Sequence, residues 1–162
     1  MKRLHTLFLL LTIAIDIAAQ PICQVKHFSV SDGLAQGNVM SILQDQKGLV
    51  WFRTWNGLNK FDGYTFKTYK TSQESKYAFG SNRMGTISES KYGDIWCPTY
   101  DGQACLFDVE TEKFIDVLQP IELSTKQTNN VTRIYSLEKG IAWILCESGY
   151  AFRVDEQLCK KG

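Results

Sequence analysis

Gly48-Leu49-Val50-Trp51-Phe52-Arg53-Thr54-Trp55-Asn56-Gly57-Leu58-Asn59-Lys60-Phe61-Asp62 decides how this chain is read. Two short runs of apolar and β-branched residues flank Asn56-Gly57, a strong short-range hairpin signal. Upstream, Val39 to Gln44 has the composition of another strand. Between them, Asp45-Gln46-Lys47-Gly48 is a tight turn, with Gly supplying positive φ and Asp capping the local backbone. Downstream, Asp62-Gly63 turns the chain again before a strand over Thr65 to Tyr69. The unit is four short antiparallel strands joined by hairpins.

The unit recurs. Asn38 to Asp62, Asn82 to Asp108 and Asn130 to Asp155 align on three anchors. Trp51, Trp96 and Trp143 follow their Asn by 13, 14 and 13 residues, and each precedes a glycine (Gly57, Gly102 and Gly149) by 6. The extra residue of the second repeat falls in a turn, where insertion is tolerated. Three of the chain's four tryptophans hold this one position. Four strands every 44 to 48 residues is the period of a β-propeller blade. A sandwich would not repeat its Trp and Gly every four strands, and a helical solenoid would need long segments of 3.6-residue period, which are lacking.

The expected fold is therefore all-β: a partial β-propeller of about three four-stranded antiparallel blades, an incomplete ring. The expected boundaries are a signal peptide over 1–20 and the propeller over 21–162, with blades about 38–69, 82–116 and 130–162. The last strand of the third blade would begin after Asp155, and His27-Phe28-Ser29-Val30 reads as an outermost strand ahead of the first full blade. Each repeat tryptophan is expected between neighbouring blades, burying roughly 150–250 Å². The repeat glycines are expected in turns rather than around a phosphate. Propellers need about four to eight blades to close. The chain is thus expected to be a truncated product or part of a larger assembly, its missing blades or a partner chain (a homodimer included) covering the open faces.

Lys2 and Arg3, the apolar run Leu7 to Ile15, and Ala18-Ala19-Gln20 together have the form of a cleaved secretory signal, too short to span a bilayer. Export is expected, and the resemblance given below makes the destination periplasmic. Lipoprotein anchoring at Cys23 is disfavoured, because Gln20-Pro21-Ile22 lacks the usual Leu and small residues. With 18 basic and 17 acidic residues the net charge is +1, which does not argue for a nucleic-acid partner. Five cysteines leave at least one thiol unpaired within the chain. Cys97 and Cys105 flank a turn symmetrically, to face each other across a hairpin or to serve as small buried hydrophobes. Without Cys-x-x-Cys, and with only His5 and His27, no metal site is expected.

The stretch quoted first resembles the two-component regulator propeller repeat, roughly D-x-x-G-x-[ILV]-W-[IF]-x-T-x-x-G-[LI]-x-x-[FY]-D. Phe28 to Asn38, FSVSDGLAQGN, resembles the family's opening, and the resemblance covers about residues 25 to 155. The second repeat departs at Pro98 and Gln103-Ala104-Cys105. The third lacks the turn Asp at Leu137-Glu138-Lys139-Gly140 and has Cys146 in place of Thr. The resemblance implies the periplasmic sensing region of hybrid two-component histidine kinases of Bacteroides-like bacteria, which detect oligosaccharides. It implies an input module without kinase activity of its own, coupled in a full-length relative to a downstream histidine kinase. The alternative is an exported β-propeller scaffold for protein interaction, with no small-molecule ligand.

Chain direction puts the turns between second and third strands, and the loops between blades, on one face of the ring. The candidate ligand contacts are Trp55, Tyr100, Arg53 and Asp101, with Asn56 and the loops 71–82 and 119–130 beside them. Paired aromatics at a rim stack on sugar rings, and Arg53 and Asp101 offer polar contacts. Catalysis would need converging acid–base groups or a metal. The acids here fall mostly at turns, so no catalytic residue and no cofactor is expected.

Overall fold

The computed structural model describes residues 24–71, 81–118, 130–137 and 139–160. The expected signal peptide lies outside them. Sheet 1 contains β1 (Val39–Gln44), β2 (Val50–Thr54), β3 (Gly57–Phe61) and β4 (Phe66–Tyr69) in that spatial order. Sheet 2 contains β5 (Ser88–Glu89), β6 (Ile95–Pro98), β7 (Ala104–Asp108) and β8 (Lys113–Asp116), again in sequence order. Sheet 3 contains β9 (Val131–Leu137), β10 (Ile141–Cys146) and β11 (Ala151–Asp155). All neighbours are antiparallel. The described residues form an all-β array of three sheets that does not close into a ring.

Side-chain alternation along the strands sorts residues between two cores. Trp51 and Leu58 of sheet 1 pack with Ile95, Cys97, Cys105 and Phe107 of sheet 2. Trp96, Ala104 and Leu106, on the other face of sheet 2, pack with Ile134, Ala142, Ile144 and Cys146 of sheet 3. Sheet 2 is covered on both faces, so β6 and β7 are buried at every position. Cys97 and Cys105 sit directly opposite in the ladder, both buried and both free thiols. Burial raises the pKa of each.

The three repeat tryptophans hold one register position, paired with Leu43, Ser88 and Tyr135 of the preceding strand. Their surroundings differ. Trp51 and Trp96 are fully buried against the next sheet, whereas Trp143 is 37% exposed. Trp143 points away from sheet 2, so among the described residues it has no following sheet to fill.

Two expectations are corrected, and one strand of the repeat is shortened. After Asp155 the chain does not begin a fourth strand. Asp155 caps a short helix, α1 (Glu156–Cys159), accepting from the Gln157 and Leu158 amides at 2.9 and 3.4 Å. His27-Phe28-Ser29-Val30 is not a strand either. Ser29 caps a 3-10 turn over Val30–Asp32 in a reciprocal capping box with Asp32. Phe28 packs edge-on against Phe61 and Phe66 at 4.9 and 5.5 Å, covering that part of sheet 1. Buried Asn59 holds the same segment, accepting from the Ala35 amide at 2.9 Å. Finally, the first strand of sheet 2 shrinks to Ser88–Glu89, with an isolated bridge between Met84 and Thr99. Pro98 has no N–H to give that ladder.

Acidic side chains satisfy donors within and between the sheets. The Asp45 carboxylate accepts from the Lys47 and Leu49 amides at 2.9 Å and from the Trp51 indole at 2.8 Å. Its counterpart in the second repeat, Ser90, accepts from the Tyr92 and Asp94 amides but leaves the Trp96 indole to another partner. Glu156 of α1, itself buried, accepts that indole proton at 2.8 Å and the Lys91 amide at 2.9 Å. Lys160 then reaches Asp94 and Asp108 at 2.9 and 3.4 Å. Between sheets 1 and 2, Glu112 gathers Lys67, Lys60 at 3.3 Å and the Tyr69 hydroxyl at 2.7 Å. The hydrogen bonds from Lys67 and Tyr69 hold the Glu112 carboxyl down to about 2. Burial, then Glu112, pushes the Tyr69 phenol up to about 12.

Two predictions follow from this packing. Trp96→Ala lowers stability by about 3–5 kcal/mol through lost burial and a cavity, whereas Trp143→Ala costs under about 1 kcal/mol. Urea midpoints of the two variants check this, and equal losses would contradict the outward placement of Trp143. Glu112 has a folded-state pKa below its ordinary 4.5, so its contribution is present above pH 4.5 and is lost as pH falls toward about 2. Glu112→Gln therefore flattens the stability curve between pH 4.5 and 2 relative to the parent chain; thermal melts across that window that keep the parental slope would refute the assignment.

Candidate axial cavity

The turns between second and third strands form one rim of the array. Gly57 and Gly102 build two of them at φ of 117° and 85°. A Cβ at Gly57 would sit 2.5 Å from the Tyr69 carbonyl oxygen, and one at Gly102 would sit 2.6 Å from Asn130 Oδ1, so both positions demand glycine. Gly149 has the same sign of φ, 85°, in open space. The first two turns present Trp55 and Tyr100.

Trp55 is half-exposed, with the Arg83 guanidinium 4.9 Å from its ring centroid. The Arg83 carbonyl in turn accepts from the Tyr100 amide at 2.9 Å, so one residue couples the two rim aromatics. Tyr100 is 75% exposed. Asp101 is exposed beside it.

Below this rim lies a cavity of about 450 Å³, within the size range of small-ligand sites. Its wall draws on all three sheets: Met40 from β1, Arg53 from β2, Ser88 from β5, Pro98 from β6, and Arg133 and Tyr135 from β9, with Tyr100 above. The structure thus brings Arg53 and Tyr100 to one cavity. Trp55 and Asp101 stay on the rim outside its lining. Most of the expected loops, 72–80 and 119–129, lie outside the described residues.

Arg53 is only 6% exposed. Its Nε is buried without a hydrogen bond, as is the Ser88 Oγ on the same wall. Burial lowers the Arg53 pKa, and nearby Tyr100 pulls the other way; a guanidinium remains protonated throughout. The lining includes a second cation, Arg133, and no carboxylate. Such a wall can donate hydrogen bonds and positive charge, while Tyr100 and Tyr135 offer ring faces. No group of His, Cys, Asp and Glu suited to a metal occurs among the described residues.

Sequence reasoning missed Ser88, Arg133 and Tyr135. One usable signal was present: Arg133 interrupts an otherwise strand-forming run, as Arg53 does in its own strand. A cation inside such a run must be either solvent-facing or aimed at a site.

Fold and cavity together define a segment of a β-propeller, with an open axial pocket among its inner strands. Residues 33–56 match the family model described as "Two component regulator propeller". A stretch of 49 residues, 30% of the chain, is 51% identical to histidine kinase P4 of Formosa agariphila, of which it spans 4%. The fold is similar to the extracellular domain of a putative hybrid two component system from B. thetaiotaomicron, with a TM-score of 0.56 and 24% identity over 82% of this chain and 20% of that one. It is also similar to the extracellular domain of a putative one component system from the same organism, with a TM-score of 0.59 and 23% identity over 88% of this chain and 20% of that one. The chain therefore spans a small part of each relative. Among the described residues no helix is long and apolar enough to cross a membrane.

Because Arg53 is desolvated without an acidic partner among the described residues, replacing it with an apolar side chain of similar length relieves a cost. Arg53→Met is expected to raise stability by about 1 kcal/mol, measured by chemical denaturation; a loss of that size would show that the guanidinium is satisfied in the folded chain.

Proposed function

We propose that the chain is the periplasmic input part of a two-component sensor, and that the axial cavity receives an oligosaccharide. The observation that carries this reading is the cavity itself: three sheets contribute to it, its wall holds buried hydrogen-bonding atoms without partners, and aromatic rings stand at its mouth. The family match and the kinase relative support the sensor role, and the extracellular placement of the structural neighbours supports the periplasmic one. In this reading the chain carries no catalytic step. Ligand binding bridges β1, β5 and β9, and a change in how the sheets sit together passes to a histidine kinase in a full-length protein. A ligand that bridges sheets favours one arrangement of them over others, which is what a sensor must convert into output.

The test is thermal unfolding of the purified chain against a panel of oligosaccharides. A cognate glycan at 100 times its Kd adds about 2.7 kcal/mol to stability by mass action. Tyr100→Ala weakens binding about tenfold, or about 1.4 kcal/mol, and Trp55→Ala, whose ring is partly occupied by Arg83, weakens it less. A panel without a hit, or affinities untouched by both substitutions, would remove the glycan proposal.

A further inference from the structure

We infer that the axial cavity is selective for an acidic saccharide, one oxyanion of which (a uronic-acid carboxylate or a sulfate ester) is held between Arg53 and Arg133. The inference rests on the proposed glycan-sensing role and adds a charge requirement to its ligand. Three observations carry it. The cavity lining contains two guanidinium groups and no carboxylate. Arg53 is 94% removed from solvent, being 6% exposed, yet its Nε makes no hydrogen bond. Ser88 Oγ, on the neighbouring sheet, is a second buried donor without a partner on the same wall.

The treatment of other buried charges in this chain sharpens the contrast. Glu156 is matched to the Trp96 indole and the Lys91 amide, and Asp45 to two amides and the Trp51 indole. Asp108 has Lys160 and the amides of Glu110 and Thr111. Arg53 differs from these in that its Nε has no hydrogen-bond partner and no carboxylate lines the cavity beside it. A buried cation that lacks a partner is costly, and it is relieved by an anion that enters with its own charge. The planar fork of a guanidinium suits the two oxygens of a carboxylate or sulfate. A neutral sugar would fill the volume and leave the charge unmatched, so the same wall that attracts an acid discriminates against its neutral analogue. Tyr100 and Tyr135, also in the lining, offer rings against which the pyranose that carries the acid can pack.

Calorimetric titration of the full chain with trigalacturonate, sulfated galactotriose and unsubstituted galactotriose tests the inference. The expected result is binding of at least one acidic probe at least tenfold tighter than galactotriose, weakening as salt is raised. The tighter acidic probe identifies carboxylate or sulfate as the preferred oxyanion. Arg53→Met and Arg133→Gln are each expected to reduce acidic-probe affinity at least tenfold. Arg133 is exposed, so its variant reads the charge requirement independently of any change in stability at Arg53. Galactotriose binding as tightly as the acidic probes would overturn the charge requirement and leave the glycan role standing. Acidic-probe binding indifferent to both arginine substitutions would overturn it too, by placing the anion elsewhere. No binding of either acidic probe also overturns it, and the glycan role is then decided by the wider panel described above.

Discussion

Face-to-face burial between successive small sheets is the constraint on which everything else in this molecule depends. A four-stranded sheet of four- to six-residue strands cannot bury both its faces by itself. Here the problem is solved by alternation. Odd positions of β6 and β7 (Ile95, Cys97, Cys105, Phe107) face sheet 1, and even positions (Trp96, Ala104, Leu106) face sheet 3. One indole at a fixed register position fills each junction. Trp51 meets Phe107 edge-on at 5.7 Å, and Tyr69 closes on the same ring at 4.6 Å. The junction between sheets 2 and 3 uses the next tryptophan and smaller aliphatic partners. Trp143 shows that the register, and not the junction, is local: the strand places the indole whether or not a sheet follows.

Charge completes what the apolar junctions leave loose, and it does so mainly on one side of the array. The turns between first and second strands and those between third and fourth strands lie at the same end. There Glu89 accepts from the Gln46 amide, Glu156 from the Lys91 amide, and Glu112 gathers two lysines and a tyrosine. In each case a carboxylate from the following sheet, or from the helix that ends it, satisfies donors on the preceding sheet. The opposite rim has no comparable set of intersheet ion pairs among the described residues. It has aromatic rings, Arg83 and the mouth of the cavity. Intersheet ion pairs are concentrated at one end, and the cavity opens toward the other.

The repeat made much of this legible without coordinates. Trp51, Trp96 and Trp143 at constant offset from a glycine fix the second strand, the hairpin after it and the number of sheets. Positions that answer to a nonlocal partner were not legible. Nothing in Asp155-Glu156-Gln157 announces that Glu156 will replace a missing turn aspartate two sheets' worth of sequence earlier; only the loss of Asp at Ser90 and at Leu137 hints that some junction needs another carboxylate. His27-Phe28-Ser29-Val30 reads in sequence as an outermost strand, extended backbone ahead of the first full blade. The Ser29–Asp32 capping box competes locally with that conformation and prevails. Arg53 and Tyr100 were picked out by their places beside a rim turn, but their convergence with Arg133 and Ser88 depends on how three sheets are inclined to one another, which periodicity does not encode.

The cavity has a local cause, and the cause is a break in the repeat. Arg53, Pro98 and Leu145 hold the same place, two residues beyond their tryptophans. At Pro98 the missing N–H ends the ladder early, leaving β5 only two residues long. Gly85, whose amide bonds to the Pro98 carbonyl, contributes no side chain there; a Cβ at that position would meet Pro98 Cγ at 3.1 Å. A side chain at Gly85, which lines the same cavity as Arg53, would crowd Pro98. Instead the shortened strand and the missing side chain leave room for an unpartnered cation on a buried wall. The break in the strand ladder and the polar cavity thus fall at the same place in the array.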